Sequence, residues 1–129
     1  MTAYEDTGGA FYLDEELSRP DPVIDDQSLV IDTPEGVAVI LGCCHAGIVN
    51  TLTYIAESRI IDSFLLVAGG MHLIIASEKR LDKTIEALDR FTIGSICPGH
   101  CTGDTAIRRL REAFSGRVET LSVGWRWTI

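Results

Sequence analysis

The sequence predicts one α/β domain, or α+β once a leading hairpin is counted, built on a mixed sheet. Short apolar, β-branched runs alternate with segments of helical periodicity, each run is bounded by Gly or Pro, and the first two runs are joined by a Gly/Pro turn. At 129 residues the chain fits a single domain, and 46% hydrophobic against 23% charged residues is a globular rather than a disordered composition.

Residues 1–26 carry Gly8, Gly9, Pro20 and Pro22 with little periodicity, so they read as an acidic arm or loop with one short strand at Ala10 to Leu13. The domain occupies residues 27–129. Ser28 to Asp32 and Val37 to Leu41 read as a hairpin with a four-residue turn, Thr33, Pro34, Glu35 and Gly36. From Gly47 the apolar positions become Ile48, Leu52, Ile55 and Ala56, one face of a helix that runs to Arg59. Ser63 to Ala68 is a buried strand. A second helix spans Ser77 to Arg90, with Leu81, Ile85 and Leu88 on one face and Ser77 as N-cap. Ile93 to Ile96 is the next strand. A third helix spans Asp104 to Phe114, with Ile107, Leu110 and Phe114 inward and Gly116 past its end. Thr120 to Val123 reads as a strand, and Trp125, Arg126 and Trp127 as a last strand whose aromatics pack.

Charge and cysteine content narrow the function. Eleven basic residues against nineteen acidic give a net charge of −8, and Glu5, Asp6, Asp14, Glu15, Glu16, Asp21, Asp25 and Asp26 crowd the acidic arm opposite Arg19 alone. A chain without a basic stripe lacks what a phosphate backbone requires, so nucleic acid is excluded as a partner. No apolar stretch approaches the roughly 18 to 20 residues that span a bilayer, and the N-terminus is acidic where a signal peptide is basic, which predicts a cytoplasmic protein without a membrane partner. Cys43, Cys44, Cys97 and Cys101 form two tight clusters beside histidines, a pattern that suits a reducing compartment better than a disulfide framework.

The three histidines each follow an apolar strand: VAVILGCCH ends at His45, FLLVAGGMH at His72 and GSICPGH at His100. In a parallel sheet the carboxyl ends of the strands share one edge, so three imidazoles delivered there are candidate ligands for zinc, manganese or iron. Gly42, Gly69, Gly70 and Gly99 precede them, where the chain turns sharply off a strand. A mixed Cys/His zinc site is the rival reading, although the cysteines lack C-x2-C spacing; otherwise they are small buried residues, with Cys44 and Cys101 the likeliest reactive thiols. Helix starts after His45 (Gly47, Asn50) and after His100 (Thr102, Gly103) aim backbone N–H groups at the same edge and can hold a phosphate or another anion.

The blocks DDQSLVIDTPEG, LGCCHAGIVNTL, AGGMHL and PGHCTGDTAI resemble the C-terminal half of metallo-β-lactamase-fold proteins of the dihydropterin-ribofuranosylaminobenzene-phosphate synthase-like group, over roughly Phe11 to Val123. The resemblance implies half of an αββα sandwich with helices on one face of the sheet, and metal-dependent chemistry on pterin or phosphorylated aminobenzene substrates, or hydrolysis. It implies His45 and His100 as metal ligands and His72 at the position where many superfamily members carry a metal-bridging Asp. Asp25, Asp26 and Gln27 match a family block without an assigned role. Two departures stand out. The H-x-H-x-D-H motif that supplies most ligands of the first metal is absent, and Cys44 stands where the family usually has Ser. The expectation is therefore a truncated or split protein that exposes an apolar sheet face and is inactive alone, completed by a separate N-terminal-half polypeptide. The alternative is a non-catalytic homo-oligomer with a vestigial metal or anion pocket. A phosphorylated small molecule is the expected ligand.

Overall fold

The computed structural model describes residues 2–6 and 11–128. Strands β1 (Ser28–Thr33) and β2 (Gly36–Leu41) pair antiparallel from Ser28–Leu41 down to Thr33–Gly36. Only Pro34 and Glu35 lie outside the ladder, so the turn is two residues rather than four. Thr33 closes it: its Oγ1 donates to Gly36 O at 2.8 Å and accepts from the amides of Glu35 and Gly36 at 3.2 Å each.

Helix α1 (Ile48–Arg59) crosses to β3 (Ser63–Gly70), α2 (Glu78–Leu88) to β4 (Thr92–Gly99), and a 3₁₀ turn (His100–Thr102) leads into α3 (Asp104–Ala113). The sheet order is β1-β2-β3-β4, with β2, β3 and β4 parallel. Ser77 caps α2 as its sequence position suggests, accepting from Arg80 N at 3.2 Å.

The helices cover one face. Val39, Leu41, Val67 and Ile96 meet Ile48, Leu52, Ile55, Leu81, Leu88, Leu110 and Phe114 in one buried cluster. On the opposite face Ala38, Leu66, Ala68 and Cys97 lie beneath Leu121, Trp125 and Trp127. The segment expected as a strand at Thr120–Val123 is not one. After a single parallel bridge between Val118 and Ile96, the amides of Glu119 and Leu121 bond to Ile96 O and Pro98 O, and the ladder ends. The chain turns at Ser122–Trp125, where Gly124 adopts φ 87°, and the tryptophans pack over the sheet as coil rather than as a last strand. Two indoles laid on a bare face bury more apolar area than a short edge strand does. Leu29, Ile31 and Ile40 remain exposed beside them.

The acidic arm is partly structured. Of the strand expected at Ala10 to Leu13, Ala10 lies outside the described residues, as do Gly8 and Gly9. Tyr12 makes one antiparallel bridge to Pro20, closed by Leu13 N to Arg19 O and Asp21 N to Phe11 O. Glu5 is buried against α1. Among the described residues no helix is long and apolar enough to cross a membrane.

Candidate metal centre

Three loops leave the carboxyl edge of β2, β3 and β4, carrying His45, His72 and His100 respectively. Each contains a non-glycine residue in the left-handed region: Cys44 at φ 63°, His72 at 48° and His100 at 50°. Such conformations cost on the order of 1 kcal/mol or more apiece and persist only where surrounding contacts impose them. At this edge those contacts are specific. Gly69 has φ 131°, and a Cβ there would lie 2.2 Å from Leu41 O, so the β2 and β3 loops approach each other only because the position is glycine.

His45 and His72 come together, their ring centroids 4.6 Å apart and tilted by 59°. Phe11 stands edge-on to His45 at 5.1 Å and lies 6.1 Å from His72, roofing the pair. Asp26 braces the loop from below. Its Oδ2 accepts from His45 N at 2.7 Å and its Oδ1 from Cys43 N at 3.3 Å. His45 Nδ1 is buried, makes no hydrogen bond, and lies 3.4 Å from Asp26 Oδ2. An unsatisfied buried ring nitrogen beside a second imidazole and a carboxylate matches the donor chemistry of zinc, manganese or iron.

His100 sits with other partners. Its Nε2 is 3.0 Å from Cys43 Sγ, and Cys101 Sγ donates to Cys43 O at 3.3 Å. Among the described residues, Cys43, His100 and Cys101 are the group whose potential ligand atoms all lie within 4.8 Å of one another. The imidazole pair and this thiol group therefore form two adjoining clusters. Burial, reinforced by Cys101, pushes the Cys43 thiol up to about 11. Cys44, singled out with Cys101 as a reactive thiol, is only 2% exposed, and burial pushes it up to about 12 against the opposing effect of its bond to Thr51. It is a core residue, as its place in the cluster beneath α1 requires.

Of the residues expected to bind an anion, those at the start of α1 meet a carboxylate of the chain itself. Gly47 precedes α1 at φ 94°, and a Cβ there would lie 2.3 Å from the Glu5 carboxyl carbon. The Glu5 carboxylate accepts from Val49 N at 2.9 Å and Asn50 N at 2.8 Å. Asn50 turns its side chain to Thr2 N and Ala46 O. Thr102 is buried, donating to Gly99 O at 2.7 Å and accepting from Met71 N at 3.2 Å, and at Gly103, which has φ 79°, a Cβ would lie 2.9 Å from Ile74 Cα. Sequence reasoning missed Glu5 and Phe11, whose only local signals were one acid in an acidic run and one apolar residue in a coil. The role left open for Asp26 is the brace beneath His45.

No family model matches the chain. It is 36% identical over 118 residues to 7,8-dihydropterin-6-methyl-4-(β-D-ribofuranosyl)-aminobenzene-5'-phosphate synthase of Methanocaldococcus jannaschii, covering 92% of this chain and 40% of that protein. An uncharacterized protein of the same organism is 32% identical over 92 residues, which is 71% of this chain and 33% of the relative. The crystal structure of a metal-dependent hydrolase of the β-lactamase superfamily superposes with a TM-score of 0.80 at 34% identity, over 86% of this chain and 43% of that one. The chain thus spans less than half the length of the proteins it matches.

Proposed function

This chain belongs to the metallo-β-lactamase superfamily, similar to its dihydropterin-phosphate synthase-like members, and from that premise we propose that it is the ligand-bearing C-terminal part of a metal-dependent enzyme. The substrate we infer is a phosphorylated small molecule of pterin or aminobenzene type, since one relative is named for such a synthesis. The observation that carries the reading is the roofed His45–His72 pair with the unsatisfied Nδ1 of His45 beside Asp26.

His45 and His72 are the residues that hold the metal, and the resemblance adds His100 from the neighbouring loop. The bound ion, zinc, manganese or iron, supplies a Lewis acid for a phosphoryl or carbonyl oxygen, or a water of lowered pKa. The chain's own residues orient and shield. Asp26 fixes the His45 backbone, the left-handed turns at His72 and His100 aim their rings off the strand ends, and Phe11 keeps bulk water from the imidazole pair. Two or three imidazoles would leave coordination positions open for Asp26, for water or for ligands supplied by another polypeptide. The four free cysteines support a reducing, cytoplasmic setting.

The test is complementation. The chain, expressed without a histidine tag, is mixed with a polypeptide carrying the H-x-H-x-D-H half, and metal content and hydrolysis of a phosphodiester are measured. Activity that needs both parts and disappears with His45→Ala supports the reading; activity that survives His45→Ala, or no metal uptake by the mixture, overturns it. A second reading, a non-catalytic homo-oligomer, is favoured by the strip of Leu29, Ile31 and Ile40, exposed by 60%, 40% and 36%. It requires a dimer in sedimentation equilibrium that Ile40→Glu dissociates.

A further inference from the structure

We propose that Arg80, Lys79 and Lys83 form a binding site for a phosphate monoester in a cavity along α2, with the Asp6 carboxylate as the group that the phosphate displaces. The three cations line a surface cavity of about 440 Å³ together with Tyr4, Asp6 and Ile75. They are three of the eleven basic residues of a chain whose net charge is −8. Among the described residues Asp6 is the acid on this wall, while Glu78 and Asp82 of the same helix pair with Arg109 of α3.

Arg80 is only 8% exposed. Its Nη1 donates to Asp6 O at 3.2 Å and to Asp6 Oδ1 at 3.3 Å, whereas Nε and Nη2 are buried and make no hydrogen bond among the described residues. A buried guanidinium requires acceptors on its donors, and the Nε–Nη2 edge is a fork that matches two oxygens of one phosphate. Asp6 meets Nη1 and not this fork, and its side chain is 74% exposed. Moving that carboxylate aside opens the guanidinium to the cavity. A phosphate dianion there meets the fork and both ammonium groups, so it competes with a monoanion that engages one nitrogen. Lys83 is positioned for this, its Nζ 5.3 Å from the Tyr4 ring centroid, with Tyr4 Oη donating to Lys83 O at 3.3 Å. Lys79 is exposed one turn earlier on the same helix. The loop that carries His72 runs on through Ile75 into α2 and walls the cavity, so the imidazole pair and the cations share one loop. That the phosphate is the substrate's own rests on the function proposed above; that the cavity binds phosphate stands on the cations alone.

The test is calorimetric titration of the metal-free full chain with inorganic phosphate and with ribose 5-phosphate at fixed ionic strength. The expected result is a single saturable site that takes ribose 5-phosphate at least as tightly as inorganic phosphate. Arg80→Lys keeps the charge but loses the fork and weakens binding by roughly tenfold. Because a change at a buried arginine can misfold the chain, the exposed pair is also replaced: Lys79→Ala with Lys83→Ala weakens binding by roughly tenfold or more. Asp6→Asn tightens it by about threefold or more, and Arg108→Ala on α3 leaves it unchanged as a control for diffuse charge. No saturable binding, rejection of ribose 5-phosphate, indifference to the lysine pair, weaker binding in Asp6→Asn, or equal loss in Arg108→Ala overturns the assignment. The titration uses no metal and no second polypeptide, so its failure leaves the metal reading standing, and failed complementation leaves the phosphate site standing.

Discussion

Asp26 and Asp25 are neighbours in sequence and differ in consequence. Asp26 is half-buried and accepts from two backbone amides of the His45 loop, whereas Asp25 is exposed. Hydrogen bonds to a charged acceptor contribute about 1.5 to 3 kcal/mol, so Asp26→Ala is expected to lower the urea-unfolding free energy by that order, and Asp25→Ala to leave it nearly unchanged. Cys97 makes a second prediction at this scale. Burial raises its thiol from 9.0 to about 11, so below pH 9 the folded and unfolded thiols are both protonated and its contribution is constant. Between pH 9 and 11 the unfolded thiol ionises first, the unfolded state binds fewer protons, and stability falls as pH rises. Thermal melts across this window should show a shallower decline in Cys97→Ala than in the unaltered chain.

At the level of elements, α1 depends on a carboxylate far from it in sequence. It has no side-chain cap at Gly47 and no acid in its first turn, and Glu5 bonds the amides of Val49 and Asn50 instead. Losing a helix cap costs about 0.5 to 2 kcal/mol. Glu5→Ala should therefore lower stability by that order, and hydrogen exchange should quicken at Val49 and Asn50 more than at the α2 amides, which Ser77 caps locally. The three helices themselves were legible because their apolar periodicity is local: Ile48, Leu52 and Ile55, or Leu81 and Leu88, point to one side wherever the rest of the chain goes. The carboxyl-terminal coil was not legible, because TLSV has strand-like residues while its fate depends on the bare sheet face it meets.

Across the whole molecule the two faces of the sheet are finished unequally. Three helices seal one, and two indoles with Leu121 cover part of the other. Replacing Trp125 and Trp127 together with Ala should uncover Ala38, Leu66, Ala68 and Cys97, raising the fluorescence of a hydrophobic dye and speeding alkylation of Cys97 in the native state. If these rings instead pack on nothing of consequence, dye binding and alkylation stay at the level of the unaltered chain.

The fold class, the order of β1 to β4 and α1 to α3, and the delivery of three histidines to one sheet edge were readable from residue patterns, whereas the two strands expected after α3 did not form; periodicity and glycine punctuation act over a few neighbouring positions. The grouping of side chains at that edge was not. His45 with Asp26, Val49 with Glu5 and His100 with Cys43 are pairs 19, 44 and 57 residues apart, and each forms where a glycine lets the chain approach closely: Gly42 beside Asp26, Gly47 beside Glu5 and Gly70 beside Cys43. Local propensity places a residue on an element. Which of its neighbours across the molecule it touches is settled by how closely the backbones come together, and that division splits the histidines into an imidazole pair and a thiol-linked partner.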